Sequence, residues 1–161
     1  MIGKSDIKVL VSEIEWTQKV CEQLAAHINE KVSIINKKNY DYVYLEALAI
    51  NIMHFYSAVE SLFNKIAKKV DESPVTGDSS HKELLKRMLV EIDGVRCAVL
   101  SKNSFDLIDK FRSFRHKSYH DFSITYKWEE MKDLSNSTKQ ALKLFNRDMD
   151  NFKDFLRSIM S

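Results

Sequence analysis

An antiparallel up-and-down helical bundle, four long helices and one short, is the fold class this sequence predicts, and three observations lead there. Three glycines and one proline in 161 residues leave little material for turns, so the elements have to be long. Lys4 to Ser73 contains neither residue. Over most of the chain apolar residues recur in steps of three and four, the spacing of one helix face rather than the alternation of a strand. With 44% hydrophobic and 30% charged residues the composition is that of a soluble globular protein. The length suits a single domain over residues 1–161 that can bury a sizeable core.

Ser5 or Asp6 is positioned to cap a first helix whose apolar side is Ile7, Leu10, Val11, Ile14, Cys21, Leu24, Ile28, Val32 and Ile35, with one gap at Thr17. The polar run Asn36-Lys37-Lys38-Asn39 is expected to end it. Leu45, Leu48, Ala49, Ile52, Tyr56, Val59, Phe63, Ile66 and Val70 then predict a second long amphipathic helix. Burial of each large side chain there is worth about 1.5 to 3 kcal/mol and outweighs the propensity cost of its β-branched and aromatic members. Asp71 to Ser80 holds the proline and one glycine and reads as a loop. Ser79 or Ser80 is the expected cap of a short third helix with Leu84, Leu85, Met88, Leu89 and Ile92 on one side, and Gly94 suits its stop. Val95 to Leu100 is expected as an extended connector, because a lone strand has no partner for its backbone groups. Ser101 or Asn103 caps a fourth helix with Leu107, Phe111 and Phe114 inside. After a connector at Ser123 to Lys127, a fifth helix runs from about Trp128 to Met160 with Leu142, Phe145, Met149, Phe152, Leu156 and Ile159 at core spacing, and Asn136 to Thr138 is the place for an interruption. Phe63, Leu85, Phe111 and Phe152 are expected in the core, where truncation to alanine costs about 2 to 5 kcal/mol.

A formal charge of +2 leaves the whole chain nearly neutral, so affinity for an anion has to come from a local patch. Cys21 and Cys97 stand alone, without metal-ligand spacing or a disulfide framework, which suits a reduced, cytoplasmic protein with no metal site. The N-terminal residues lack the apolar run of a signal peptide, and no segment has the roughly 18 apolar residues of a membrane helix, so no membrane partner is expected.

The local patch is Phe111 to Phe122, where two arginines, a lysine and two histidines fall within barely three helical turns. Arg112, His116 and His120 advance by four residues, about 40° per step, and form one gently winding ridge. Arg115 and His120 are about 140° apart on a straight helix, so a helix end, a bend or a second subunit is needed to bring both to one atom. Histidines near a helix C-terminus complement the dipole, and arginines beside phenylalanines snorkel over a core. Taken singly, each of these residues has such an ordinary explanation. Gathered together, the cations repel one another, and a bound phosphate relieves that cost.

Arg115-His116-Lys117-Ser118-Tyr119-His120 resembles the Arg-x4-His motif of the HEPN superfamily. His54 to Ala67, Pro74 to Gly77 and His81 to Met88 are similar, in the same order, to successive segments of HepT-like toxins, and the similarity extends over roughly Leu24 to Phe155. The resemblance implies an all-helical, homodimeric RNA endonuclease that needs no metal or other cofactor. It implies as well a toxin paired with a minimal nucleotidyltransferase antitoxin, two copies of the motif meeting across the dimer. By position, Arg115 would bind the scissile phosphate of the RNA substrate and His120 would move protons between the 2′-hydroxyl, the phosphate and the leaving 5′-oxygen, leaving a 2′,3′-cyclic phosphate. His116 fits the motif's polar slot, and Arg112, Lys117 and Tyr119 are supporting or phosphate-binding candidates.

One position departs from the family. Where toxins regulated by nucleotidylylation carry a tyrosine two residues after the motif histidine, this chain has Phe122, which has no hydroxyl to modify. Occlusion by an antitoxin stays open. His54, Tyr56 and Glu60 fall on nearby turns of the second helix, where a polar group can orient the motif, although a hydrogen-bonded core residue or a solvated edge is the favoured explanation for each. His27 and His81 read as surface or capping residues, and Glu129 and Glu130 as first-turn acids. Two alternatives to catalysis stand beside the ribonuclease: a non-catalytic nucleotide- or partner-binding companion of a nucleotidyltransferase, and a helical interaction module.

Overall fold

In a computed structural model, which describes residues 1–38 and 40–161, the chain forms six α-helices: α1 Lys4–Asn36, α2 Tyr42–Lys69, α3 Ser80–Leu89, α4 Lys102–His120, α5 Trp128–Asn136 and α6 Thr138–Ser158. The four long helices of the predicted bundle are α1, α2, α4 and α6, while the expected fifth helix is divided at Ser137 into α5 and α6. Among the described residues, no helix is long and apolar enough to cross a membrane. Asn39, the last residue of the expected break after α1, lies outside the described residues.

α2 is the central element, packed against α1, α3, α4 and α5. Its buried side includes Leu48, Ile52, Phe55, Tyr56, Val59, Phe63 and Ile66. Phe55 meets Phe111 of α4 at 5.0 Å between ring centroids, and Phe63 meets Phe145 of α6 at 6.4 Å. The first pair fixes the seam between α2 and α4 on which the cationic stretch is mounted. Phe63, Leu85, Phe111 and Phe152 are all fully buried, as their spacing predicts. The gap at Thr17 is not a gap in packing, because Thr17 is buried and its hydroxyl donates to the Glu13 carbonyl at 2.9 Å.

Several local expectations are corrected. Neither Ser5 nor Asp6 caps α1: the helix begins earlier, with the Gly3 carbonyl accepting from the Ile7 N–H at 3.0 Å. α2 gains an unanticipated cap, the Asp41 carboxylate accepting from the Val43 N–H at 3.0 Å. Ser79 occupies the N-cap position of α3 without a side-chain capping bond, whereas Ser101 does cap α4, accepting from the Ser104 N–H at 3.3 Å. On α6, Ile159 is exposed and the inward positions include Ala141, Leu144 and Asp148 instead. Gly94 is not the stop of α3, which ends at Leu89. With φ +69° it occupies the tight turn joining the bridged residues Ile92 and Arg96. Val95 to Leu100 solves its backbone problem locally. The Arg96 N–H donates to the Ile92 carbonyl, and the Val99 and Leu100 N–H groups share the Met88 carbonyl, each at 2.9 Å.

Arg96 holds this turn to the end of α2. Its Nε and Nη2 donate to the Asp71 carboxylate at 2.6 and 3.0 Å, Nη1 donates to the Val90 and Cys97 carbonyls, and Nη2 also donates to the Arg87 carbonyl. All five guanidinium N–H groups are therefore matched, which a fully buried cation requires. Removing one member of such a pair strands the other. Arg96→Met should lose about 3 to 5 kcal/mol in urea unfolding. Lys86→Met, which breaks only the surface pair with Glu83 at 3.8 Å, should stay within about 0.5 kcal/mol of the parent chain. Equal losses would show that the Arg96 network contributes no more than a surface ion pair.

Candidate functional site

α2, α3 and α4 meet at one end of the bundle around an open cleft of about 560 Å³. Glu60, His81, Arg112, Arg115, His116, Tyr119, His120 and Phe122 line it. Five of the eight are arginines or histidines and one is an acid, so phosphate-binding and proton-carrying side chains gather at this cleft.

Arg115 reaches from α4 across the seam to α2. Its Nη2 donates to both Glu60 carboxylate oxygens at 2.9 Å, and its Nη1 donates to the Ser57 hydroxyl at 3.0 Å. The guanidinium lies over the Tyr56 ring, 4.5 Å from its centroid. Tyr56, Ser57 and Glu60 stand three and four residues apart, so consecutive turns of α2 supply the stacking face, the hydroxyl and the carboxylate. Both Arg115 and Glu60 side chains are only 12% exposed. Among the described residues, Arg115 Nε–H and one Nη1–H have no protein acceptor, in contrast to the saturated Arg96.

His81, in the first turn of α3, adds a third contact to Glu60: its Nδ1 lies 2.7 Å from one carboxylate oxygen. Nδ1 is also 3.3 Å from Arg115 Nη2, which can only donate. A carboxylate and an unprotonated ring nitrogen would repel at 2.7 Å, so the proton belongs on Nδ1, donated to Glu60, and the Arg115 contact is a close approach of two donors. Arg112 directs Nε to Asp109 at 2.6 Å and keeps both terminal nitrogens without a protein partner among the described residues. The His116 and His120 rings touch at a tilt of 48°, with centroids 4.4 Å apart, and both are exposed on the rim. Tyr119 is 62% and Phe122 99% exposed beside them.

The structure therefore brings Arg112, Arg115, His116, Tyr119 and His120 to one cleft, and leaves Lys117 exposed outside its lining. Arg115 turns inward to α2, while His120 is the last residue of α4 and stands at the rim, so the two line the cleft from different sides of the helix. Glu60 is the hydrogen-bonded, buried polar residue expected on α2, with Arg115 as its partner. His81 is exposed, as expected, but it also lines the cleft and contacts Glu60, which its sequence position did not announce. A signal for Glu60 was present, since it lies four residues after Tyr56 and three before Phe63 on the buried stripe, where a carboxylate needs a cation. His54 and His27 are exposed and away from the cleft lining.

Burial, and then the Glu60 carboxylate, raise the Tyr56 phenol well above its ordinary value of 10.0. Below about pH 10 the phenol is neutral in the folded and unfolded chains alike and adds no slope. Above it the unfolded chain releases this proton first, so stability falls as pH rises.

The family model described as HepT-like protein matches residues 47–156, well over half of the chain, and that span includes every residue lining the cleft. No curated protein and no solved structure matches the chain.

Tyr56→Phe should flatten the alkaline loss of stability by up to about 1.4 kcal/mol per pH unit above pH 10, measured by urea unfolding at stepped pH. Identical alkaline slopes in the two proteins would contradict the buried, acid-flanked setting of this phenol.

Proposed function

The chain belongs to the HepT-like family, and from that premise we propose that it is an RNA endonuclease of HEPN type that works without a metal ion, the toxin of a pair completed by a minimal nucleotidyltransferase. The observation that carries this reading is the convergence of two arginines with unused N–H groups and three imidazoles on one open cleft. Phosphate binders and proton carriers are what cleavage by an internal 2′-hydroxyl requires.

In this reading a phosphodiester enters between Arg112 and Arg115. The spare N–H groups of Arg115 meet a non-bridging phosphate oxygen, and the negative charge growing there in the transition state strengthens those bonds. Glu60 and Ser57 hold the guanidinium in place, so little side-chain freedom is lost when the phosphate arrives. His120 takes the proton of the 2′-hydroxyl as its oxygen attacks phosphorus. The P–O5′ bond breaks, its electron pair leaves with the 5′-oxygen, and that oxygen takes up a proton within the cleft, giving a 2′,3′-cyclic phosphate and a 5′-hydroxyl. His116, against His120, orients that ring. Tyr119 and Phe122 offer exposed aromatic faces for bases of a single strand, since bases in a duplex are already stacked.

A homodimer that sets two such clefts side by side is part of the proposal, and light scattering reads it directly. Phe122 carries no hydroxyl, so the antitoxin would act by covering the cleft rather than by modifying that position. A binding module that holds phosphate and cuts nothing is the competing use of the same cations.

Purified protein should cleave RNA with a chelator present and leave 2′,3′-cyclic phosphate ends. His120→Ala should abolish cleavage while lowering RNA affinity only several-fold, because Arg112 and Arg115 remain. A substrate with 2′-deoxyribose at the cut position should bind and stay intact. Cutting of that deoxy substrate, or activity that disappears with chelator and returns with magnesium, would overturn the mechanism, and binding without cleavage in the parent protein would select the binding module.

A further inference from the structure

Resting on the ribonuclease reading, we propose that His81 is a second catalytic residue, the general acid that delivers a proton to the leaving 5′-oxygen, with Glu60 as the carboxylate that orients it. The reaction involves two proton transfers, one away from the 2′-hydroxyl and one to the 5′-oxygen, and two separate carriers let both proceed together. His120 fills the first role. Its neighbour His116 packs against the same ring, with centroids 4.4 Å apart, and so reaches the cleft from the same α4 side as His120.

His81 has the arrangement the second role calls for. Its Nδ1–H is tied to Glu60 at 2.7 Å, and the imidazole geometry then turns Nε2 away from the carboxylate. The ring is half exposed and lines the cleft on the α3 side, whereas His120 lines it from the end of α4. Arg115 touches the same carboxylate, so the phosphate-binding guanidinium and the acid share one anchor, and the position of the scissile phosphate fixes the position of the leaving oxygen relative to His81. Glu60 also faces the positive charge that the ring carries while it holds the proton to be delivered.

The step balances within one cleft. As the 2′-oxygen forms its bond to phosphorus, its proton passes to neutral His120. As the P–O5′ bond breaks, the Nε2 proton of the His81 imidazolium passes to the 5′-oxygen. His81 finishes neutral and His120 protonated, and exchange with water restores both.

A general acid is distinguished from a positioning residue by a leaving group that needs no proton. His81→Asn keeps an amide able to donate to Glu60 but has no Nε2. It should cut an ordinary RNA about 100-fold or more slowly than the parent protein. It should cut a substrate whose 5′-oxygen is replaced by sulfur at nearly the parental rate, because a thiolate departs without protonation. His120→Ala should fail on both substrates, since the 2′-hydroxyl still needs its base. Recovery on the sulfur substrate also shows that the variant is folded, and His81→Gln judged by the same criterion is the second variant. A His81→Asn loss that persists on the sulfur substrate would make His81 a positioning residue and overturn the assignment, as would full activity on the oxygen substrate. A parent protein that cuts neither substrate would instead remove the ribonuclease reading, and the assignment with it.

Discussion

A carboxylate on the buried stripe of a central helix has to be answered by positive charge or by hydrogen-bond donors, because desolvating it alone costs far more than one side chain contributes to a core. Glu60 of α2 is answered from two other helices at once, by Arg115 of α4 and His81 of α3. These contacts join three elements that are distant in the chain and close the end of the bundle that carries the cleft. The Phe55–Phe111 contact brings α2 and α4 together without directional preference, whereas the Glu60 contacts specify which groups face each other across the seam.

Two nearly buried arginines show how the same side chain serves different ends. Arg96 spends every N–H on Asp71 and three backbone carbonyls, so nothing is left for a ligand and its role is confined to folding. Arg115 is held through Nη2 and Nη1 yet, among the described residues, keeps donors without a protein acceptor at the edge of an open cleft. An arginine fixed on one side and unsatisfied on the other is pre-organised for an anion. That distinction, rather than the mere presence of cations, supports the proposed phosphate site.

The helices were legible because the burial of apolar faces decides them: the three- and four-residue spacing of Ile7 to Ile35 and of Leu45 to Val70 places α1 and α2 nearly end to end. Ser101 was found as a cap because capping is local. Gly94 was misassigned because its positive φ serves a turn as readily as a helix stop, and only the Ile92–Arg96 bridge decides between them. The α4 half of the site was visible as a dense local cluster. The other half was hidden, since Glu60 and His81 lie 55 and 34 residues from Arg115 and meet it only through helix packing. No local pattern announces a contact of that kind, although a glutamate between Tyr56 and Phe63 on a core stripe is a demand for a partner.

The most direct test of this account is a crystal structure with a dinucleotide that carries 2′-deoxyribose at the cut position and therefore binds without reacting. The account predicts its phosphate within hydrogen-bond distance of Arg115, with the Glu60 contact retained, His120 near the site of the missing 2′-hydroxyl and His81 Nε2 near the 5′-oxygen. A phosphate bound elsewhere on the chain, with Arg115 still turned to Glu60 and no ligand in the cleft, would contradict it.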